Sequence, residues 1–200
     1  MAKAGRARKS DVDRRTRETE LAARLDVDGS GKVDVRTGIG FFDHMLELTA
    51  RHALWDLKLA GSGDRHVDDH HLVEDAGIVL GQALAAALDD KKGVSRYGWA
   101  RVAMDESLAE AALDLSGRAF LVLKGLPEKG RVGTFDYELA REFLIAFASN
   151  AKMTLHLEVV RGTNKHHMFE AAFKALGRAL RQAAAVDPRE RGIPSTKGKL

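Results

Sequence analysis

Apolar and polar residues follow two different periods along this chain, one typical of strands and one typical of helices. Alternation over residues 18–28 predicts a first strand, and the turn sequence at residues 28–31 leads to a second strand at 32–36. These two strands are expected to form a hairpin. Helical spacing over residues 41–52 then predicts the first helix.

The first half of the chain continues with a strand and a helix. Residues 57–59 alternate as a short strand, and residues 68–88 carry apolar positions at helical spacing. The predicted order is therefore β-β-α-β-α. Similar patterns return after Gly98, with strands at 100–104, 109–115, 119–123 and 153–160 and helices at 137–150 and 164–185.

The two halves also resemble each other in sequence. Residues 44–59 align without a gap on 142–157, with identical residues at five paired positions. Residues 70–88 align on 166–184 with nine of nineteen positions identical. A half of this kind cannot bury its own faces and must pack on its twin.

The predicted fold is therefore α+β, a tandem pseudo-twofold repeat with two sheets and helices packed between or against them. Residues 11–95 are assigned to the first half and 96–186 to the second. Residues 1–10 are expected to be a disordered basic tail, and residues 187–200 a C-terminal loop.

Composition narrows the classes of function. The chain has no cysteine, which excludes disulfides and thiolate metal sites. No apolar run approaching the length of a bilayer span and no signal peptide are recognised, so a soluble, cytoplasmic protein is expected. The net charge of +3 and the pI near 9.2 owe much to the tails, and fit a small phosphorylated ligand as well as nucleic acid.

The strongest chemical signal is the motif His-His-x-x-Glu, which occurs twice. It stands at His70, His71 and Glu74, and again in the second half at the positions His166, His167 and Glu170. Residues four apart share one face of a helix, so the first histidine and the glutamate of each copy can bind one ion. The second histidine points about 100° away and should serve another metal.

Two four-coordinate metals need more donors than the six that the motifs supply. The repeat alignment pairs His44 with Glu142 and nominates both as ligands. The predicted sets are His44, His71, His166 and Glu170 for one ion, and His70, Glu74, Glu142 and His167 for the other. Imidazole and carboxylate donors suit manganese, iron, cobalt or zinc.

Some of these residues have ordinary structural explanations. Glu142 follows Arg141 on a helix and could be a solvated charge, and His52, His66 and His156 taken singly are more often surface or core residues. Three acidic residues near the first motif are candidate acceptors for the N–H groups of the ligand rings, namely Asp68, Asp69 and Asp75.

The motifs together resemble the imidazoleglycerol-phosphate dehydratase family of histidine biosynthesis. The resemblance runs from about Arg14 to Gly198 and is highly specific as a set. The residues that carry the resemblance are Arg14, Thr16, Glu18, Thr19, Gly40–Met45, His66–Asp75, Met104–Glu106, Asp114–Arg118, Gly162–Glu170, Phe173–Ala175 and Pro194–Gly198.

The resemblance implies that the chain dehydrates D-erythro-imidazole glycerol phosphate to imidazole acetol phosphate with two manganese ions. It also implies trimers that assemble into a 24-subunit shell, with active sites between subunits. One departure is Glu142, where many relatives have histidine, so that this site would be His2Glu2 and its metal preference could differ.

The resemblance also assigns residues to the substrate. Glu18 matches the catalytic glutamate, a general acid/base, although alone it reads as a solvent-facing strand carboxylate. The phosphate is expected at positions that could otherwise be solvated charges or a frayed tail: Arg96, Arg118, Lys174, Ser195 and Lys197. His52 is a further candidate, but helix capping is the alternative because its repeat partner is Asn150.

Two rival functions remain at this point. A dinuclear metallohydrolase such as a phosphatase would use the same ligands to activate water. A small basic α+β domain could also bind RNA, although the two Trp, two Tyr and eight Phe show no aromatic strand signature.

Overall fold

The computed structural model describes residues 7–200, which form two four-stranded sheets, one two-stranded sheet and four helices. The first half contains strands β1 Lys9–Arg15, β2 Thr19–Asp26, β3 Val33–Arg36 and β4 Asp56–Gly63 with helices α1 Gly40–Ala53 and α2 His70–Leu88. The second half contains β5 Tyr97–Met104, β6 Ser107–Asp114, β7 Phe120–Lys124, β8 Arg131–Val132, β9 Phe135–Asp136 and β10 Thr154–Arg161 with α3 Glu138–Asn150 and α4 Lys165–Ala184.

The two sheets have the same topology, which confirms the predicted α+β fold of two similar halves. Their strand orders are β1-β2-β4-β3 and β5-β6-β10-β7. In each sheet the first three strands are antiparallel, and the last pairs in parallel through a helical crossover. Apart from the short β8–β9 pair before α3, each half therefore has the order β-β-β-α-β-α. This is one strand more than predicted for the first half, and it agrees with the strands predicted for the second half.

The extra strand, β1, carries few apolar residues to reveal it. Its sequence is KSDVDRR, with sides that alternate between exposed and half-buried, as expected of a polar edge strand. It begins at Lys9, inside the predicted basic tail of residues 1–10, and residues 1–6 of that tail lie outside the described residues.

The predicted hairpin between residues 18–28 and 32–36 is wrong. β2 pairs with β1 and β4, whereas β3 pairs in parallel with β4. The turn at residues 28–31 instead packs on Asp56, whose carboxylate accepts hydrogen bonds from the backbone N–H groups of Ser30 and Lys32 at 2.7 and 2.9 Å. A turn signal marks a change of direction but does not say which strand the chain pairs with next.

The helices lie between the sheets and pack across the halves, α1 on α4 and α2 on α3. Glycines allow the close approach, because a Cβ on Gly81 would lie 2.7 Å from the carbonyl oxygen of Phe147, and one on Gly177 would overlap that of Thr49. Both glycines, and both residues they face, are aligned by the repeat. The pseudo-twofold relation therefore holds at the level of individual contacts.

Helix α2 has 19 residues and is the one described helix long and apolar enough to cross a membrane by length and composition. This differs from the expectation that no apolar run approaches that length. Two thirds of its apolar window is buried against β1, β2 and α3, which is typical of the core helix of a globular protein.

The C-terminal segment after α4 is held along the second half. The backbone N–H of Asp187 donates to Gly93, and that of Gly93 donates to Gly192, both at 2.9 Å. Leu200 lies against Gly117, just after the end of β6. The segment is therefore a loop held against the second half by hydrogen bonds, not a frayed tail.

Candidate metal centre and substrate site

Each histidine motif lies at the N-terminus of a helix, and the two N-termini have similar hydrogen bonds. The carboxylate of Asp68 accepts a 2.8 Å hydrogen bond from the backbone N–H of His70, and the side chain of Asn164 accepts one of 2.9 Å from that of His166. Such capping side chains satisfy N–H groups that the first helical turn leaves free. The motif side chains consequently extend from the first turn of α2 and of α4.

Three predicted ligands meet at the second motif. Nε2 of His44 lies 2.8 Å from Oε1 of Glu170, and Nε2 of His166 lies 3.2 Å from the same oxygen. Ligand atoms of the three residues all lie within 4.8 Å of one another. The two imidazole rings are partly exposed while Glu170 is buried, so the rings face solvent and the carboxylate lies beneath them.

A lysine balances the charge of this group. Nζ of Lys174 lies 2.6 Å from Oε2 of Glu170, one helical turn along α4. Burial alone would raise the pKa of this carboxylate, but hydrogen bonds from Lys174 and the two histidines outweigh burial and lower its pKa to about 2. Glu170 is therefore an anion that can serve as a metal ligand.

A second group forms around His71, which the predicted sets had placed with His44. Its Nδ1 lies 3.1 Å from Oδ2 of Asp64 and 3.9 Å from Oε2 of Glu18. The hydrogen bond to Asp64 raises the pKa of His71 above the usual value. Within one chain, His71 thus belongs to a different cluster from His44, His166 and Glu170.

His167 has an equivalent carboxylate partner. Its Nδ1 lies 2.8 Å from Oε2 of Glu106, and this hydrogen bond raises the pKa of His167. The pKa of Glu106 is strongly lowered by the same contact and by backbone N–H groups at the start of α4. Both second histidines therefore have Nδ1 paired with a carboxylate, which leaves Nε2 for another partner.

The second predicted ligand set is not gathered in one chain. His70, Glu74, Glu142 and His167 do not appear among the groups of closely spaced ligand atoms in residues 7–200. Glu74 is exposed at the first turns of α2, and half-buried Glu142 lies on α3 beside Tyr137, Glu138 and Arg141.

The predicted acceptors Asp68, Asp69 and Asp75 do not contact ligand rings. Asp68 accepts from the backbone N–H of His70, Asp69 binds Arg65, and buried Asp75 accepts from Arg14 at 2.8 Å and from Thr19. The acceptors are Asp64 and Glu106. These two partners could not be predicted from local spacing, because they lie 7 and 61 positions from their histidines.

The predicted phosphate residues fall in two places. Arg96 binds both carboxylate oxygens of Asp114, at 2.7 and 3.0 Å, and donates to the carbonyl of Pro194 at 2.8 Å. These contacts hold the loop of half-buried Ser195 and exposed Lys197 beside Arg96. Exposed Arg118 adjoins Gly117, which Leu200 contacts.

Lys174 lies beside the cluster of His44, His166 and Glu170, and His52 lies at the contact between α1 and α4. Half-buried His52 has its pKa lowered, first by burial and then by the charges of Lys174 and Arg178. A neutral imidazole is therefore expected there. Asn150, its repeat partner, donates to the carbonyl of Ala146 at 2.9 Å.

This chain is similar to known proteins over nearly its whole length. A family model described as imidazoleglycerol-phosphate dehydratase matches residues 37–180. Imidazoleglycerol-phosphate dehydratases from Cereibacter sphaeroides and Methylorubrum extorquens are 54% and 53% identical over 194 residues, which is 96% of this chain and all of each relative.

Solved structures give the same result. The crystal structure of imidazoleglycerol-phosphate dehydratase from Staphylococcus aureus is 39% identical, with a TM-score of 0.79 over 90% of this chain and 99% of that one. The enzyme from Pyrococcus furiosus, in complex with (S)-C348, is 32% identical, with a TM-score of 0.81 over 94% of this chain and 100% of that one.

Proposed function

The chain belongs to the imidazoleglycerol-phosphate dehydratase family, lyases of histidine biosynthesis, and we propose that it works through two divalent metal ions, with manganese the expected pair. The observation that supports this is the convergence of His44, His166 and Glu170 on one point. The reaction is loss of water from D-erythro-imidazole glycerol phosphate to give imidazole acetol phosphate. The expected location is the cytoplasm.

The donor chemistry of the cluster fits a metal ion. Two imidazole nitrogens and a carboxylate kept ionised are the ligands that manganese, iron, cobalt and zinc accept, and no thiolate is present in the chain. Bound ions would supply Lewis acidity to draw electron density from the substrate's imidazole and so acidify its neighbouring carbon-bound proton.

The proposed ligand sets need more than one subunit. His71 lies in a different cluster from the three residues with which it is grouped, and the four members of the other set are likewise not gathered within a chain. We infer that a second copy supplies the missing ligands. This agrees with active sites between subunits, in an assembly of trimers that reaches 24 copies.

Glu18 is the proposed general acid/base. Its side chain is 56% exposed and its carboxylate stands 3.9 Å from Nδ1 of His71, at the edge of a proposed ligand. An exposed carboxylate beside a ligand can take the carbon-bound proton or assist the departing hydroxyl. Asp64 meanwhile holds the Nδ1 proton of His71, so that Glu18 is left available.

The phosphate is proposed to bind at the C-terminal loop. Ser195 offers a hydroxyl, and Lys197 and Arg118 offer exposed charges that suit phosphate oxygens. Arg96 is largely engaged by Asp114 and Pro194, so that its main contribution in this chain is to hold the loop in place.

The test combines metal analysis with an assay of the UV-absorbing keto product. We expect two ions per chain and product formation by the parent protein. His71→Ala should lose metal and activity, and Glu18→Gln should lose activity alone. The matched controls are His156→Ala, at an exposed histidine of β10, and Glu20→Gln, at an exposed glutamate of β2, and both should behave like the parent.

Two results would contradict the proposal. Full activity in Glu18→Gln and His71→Ala would refute the site. Release of inorganic phosphate in place of the keto product would favour the phosphatase alternative.

A further inference from the structure

Glu18 and Glu106 occupy the same place in the two halves. Each directly precedes the second strand of its sheet, since β2 begins at Thr19 and β6 at Ser107, and these strands are equivalent in the two topologies. Residues 18–28 align on 106–116 without a gap. The identical pairs are Glu18 with Glu106, Ala23 with Ala111, Leu25 with Leu113 and Asp26 with Asp114.

Both glutamates face the second histidine of their own half, but at different distances. Oε2 of Glu18 lies 3.9 Å from Nδ1 of His71, whereas Oε2 of Glu106 lies 2.8 Å from Nδ1 of His167. In the first half, Asp64 takes the hydrogen bond instead. The glutamate is therefore hydrogen-bonded to the histidine in the second half, as Glu106, but not in the first half, as Glu18.

The engagement of Glu106 extends to both of its oxygens. Oε1 accepts hydrogen bonds from the backbone N–H groups of Thr163 at 3.1 Å and Asn164 at 2.8 Å, and from the hydroxyl of Ser107 at 2.9 Å. Oε2 is used by His167. This carboxylate connects the β5–β6 turn to the start of α4, and each of its oxygens already accepts a hydrogen bond.

We propose that Glu106 is a positioning residue that fixes the tautomer and orientation of His167, and that the two copies of one glutamate have thus divided into a reactive and a positioning member. An ionised carboxylate only accepts hydrogen bonds, so its partner Nδ1 carries the proton of the neutral ring. Nε2 then keeps its lone pair and can bind metal. The metal part rests on the proposed function.

The substitution Glu106→Gln isolates this role. The glutamine oxygen can still accept from Thr163 and Asn164, but its amide nitrogen would face His167 and donate to Nδ1. The ring proton would then move to Nε2, the atom needed for the metal. We expect Mn²⁺ affinity of the chelator-treated, full-length protein to fall by roughly 10- to 100-fold in calorimetric titration.

Two controls separate positioning from catalysis. Glu110 lies on β6, four residues after Glu106, and contacts Arg101 at 3.7 Å, away from His167, so Glu110→Gln should bind Mn²⁺ with the affinity of the parent. Glu18→Gln should keep Mn²⁺ affinity and lose turnover. Unchanged affinity in Glu106→Gln would overturn the inference, as would lost turnover without lost affinity.

A second measurement needs neither metal nor a change at Glu106. In metal-free protein labelled with ¹⁵N-histidine, solid-state NMR at a pH high enough to make the ring neutral should show a proton on Nδ1 of His167. The signal is identified by its loss in His167→Asn. A proton on Nε2 in the parent would overturn the inference. A parent with the expected tautomer that binds no Mn²⁺ would instead refute the proposed function alone.

Discussion

Nζ of Lys174 lies 2.6 Å from Oε2 of Glu170, while the other oxygen of that carboxylate contacts His44 and His166. The cation and the proposed metal thus share one buried anion. In the absence of metal, Lys174 is the one permanent positive charge in contact with it among the described residues.

Lys174→Met should therefore destabilise the metal-free protein and not the metal-loaded one. Removing a charged hydrogen bond from a buried carboxylate costs about 2 kcal/mol, which corresponds to a melting temperature lower by about 4 to 8 °C. Saturating Mn²⁺ should recover most of the difference, because a bound ion would compensate the buried charge of Glu170 that Lys174 otherwise compensates. Differential scanning calorimetry with and without Mn²⁺ measures both effects.

Lys165→Met is the matched control on the same helix. Lys165 donates to the sulfur of Met168 at 3.8 Å, a weak acceptor, so its loss should leave the melting temperature unchanged. An equal loss of stability with and without Mn²⁺ in Lys174→Met would show that Glu170 does not bind the metal.

Glu142 can be tested by metal stoichiometry. If Glu142 is a ligand, Glu142→Ala should reduce the bound metal from two ions per chain to one, because the cluster of His44, His166 and Glu170 stays intact. Glu142→His should keep two ions and shift the preference from manganese towards zinc, since imidazole is a softer donor. Elemental analysis and metal competition give the two results.

Glu138→His, one turn earlier on α3, is the control for the added imidazole and should change neither stoichiometry nor preference. Retention of both ions by Glu142→Ala would remove Glu142 from the ligand set.

The helix contacts across the halves should tolerate no added methyl group. Gly81→Ala and Gly177→Ala would each force a Cβ into a carbonyl of the facing helix, which costs about 1 to 3 kcal/mol for overpacking. Gly40→Ala, at the first residue of α1 with nothing within 4 Å of the new Cβ, should be neutral or slightly stabilising. Thermal unfolding of the three variants tests this, and equal stability would contradict the tight packing.

Much of the fold could be predicted from the sequence because the halves repeat each other. The helices α1 to α4 were predicted to within about two residues at each end, since amphipathic helices have strong local periodicity. β1 was missed because a polar edge strand has no apolar face. The false hairpin arose because strand pairing depends on contacts distant in sequence, such as those of β2 with β4.

The sequence could predict only those contacts of the site that follow from helical spacing or from the repeat. The i, i+4 relation of His166 and Glu170 is a property of the helix, and the repeat added His44. Asp64 and Glu106 were not predicted as partners of the histidines, because tertiary packing brings them there. The alignment of residues 18–28 on 106–116 was the available signal for Glu106.

Arg96 offers a test of the C-terminal loop. Its guanidinium binds both oxygens of Asp114 and also reaches the carbonyl of Pro194, three hydrogen bonds from a largely buried side chain. A lysine cannot make this fork, so Arg96→Lys should release the loop that carries Ser195 and Lys197. We expect KM for the phosphorylated substrate to rise at least about tenfold, the equivalent of one lost charged hydrogen bond, with a smaller change in kcat.

Faster tryptic cleavage of Arg96→Lys after Arg191 and Lys197 should accompany the rise in KM, since a released loop is open to protease. Arg101→Lys is the control, since Arg101 lies on β5, the strand that follows Arg96, and contacts Glu110 at 3.7 Å; it should change neither quantity. A higher KM without faster cleavage would mean that Arg96 binds the phosphate directly, and no change in either would show that the loop does not depend on Arg96.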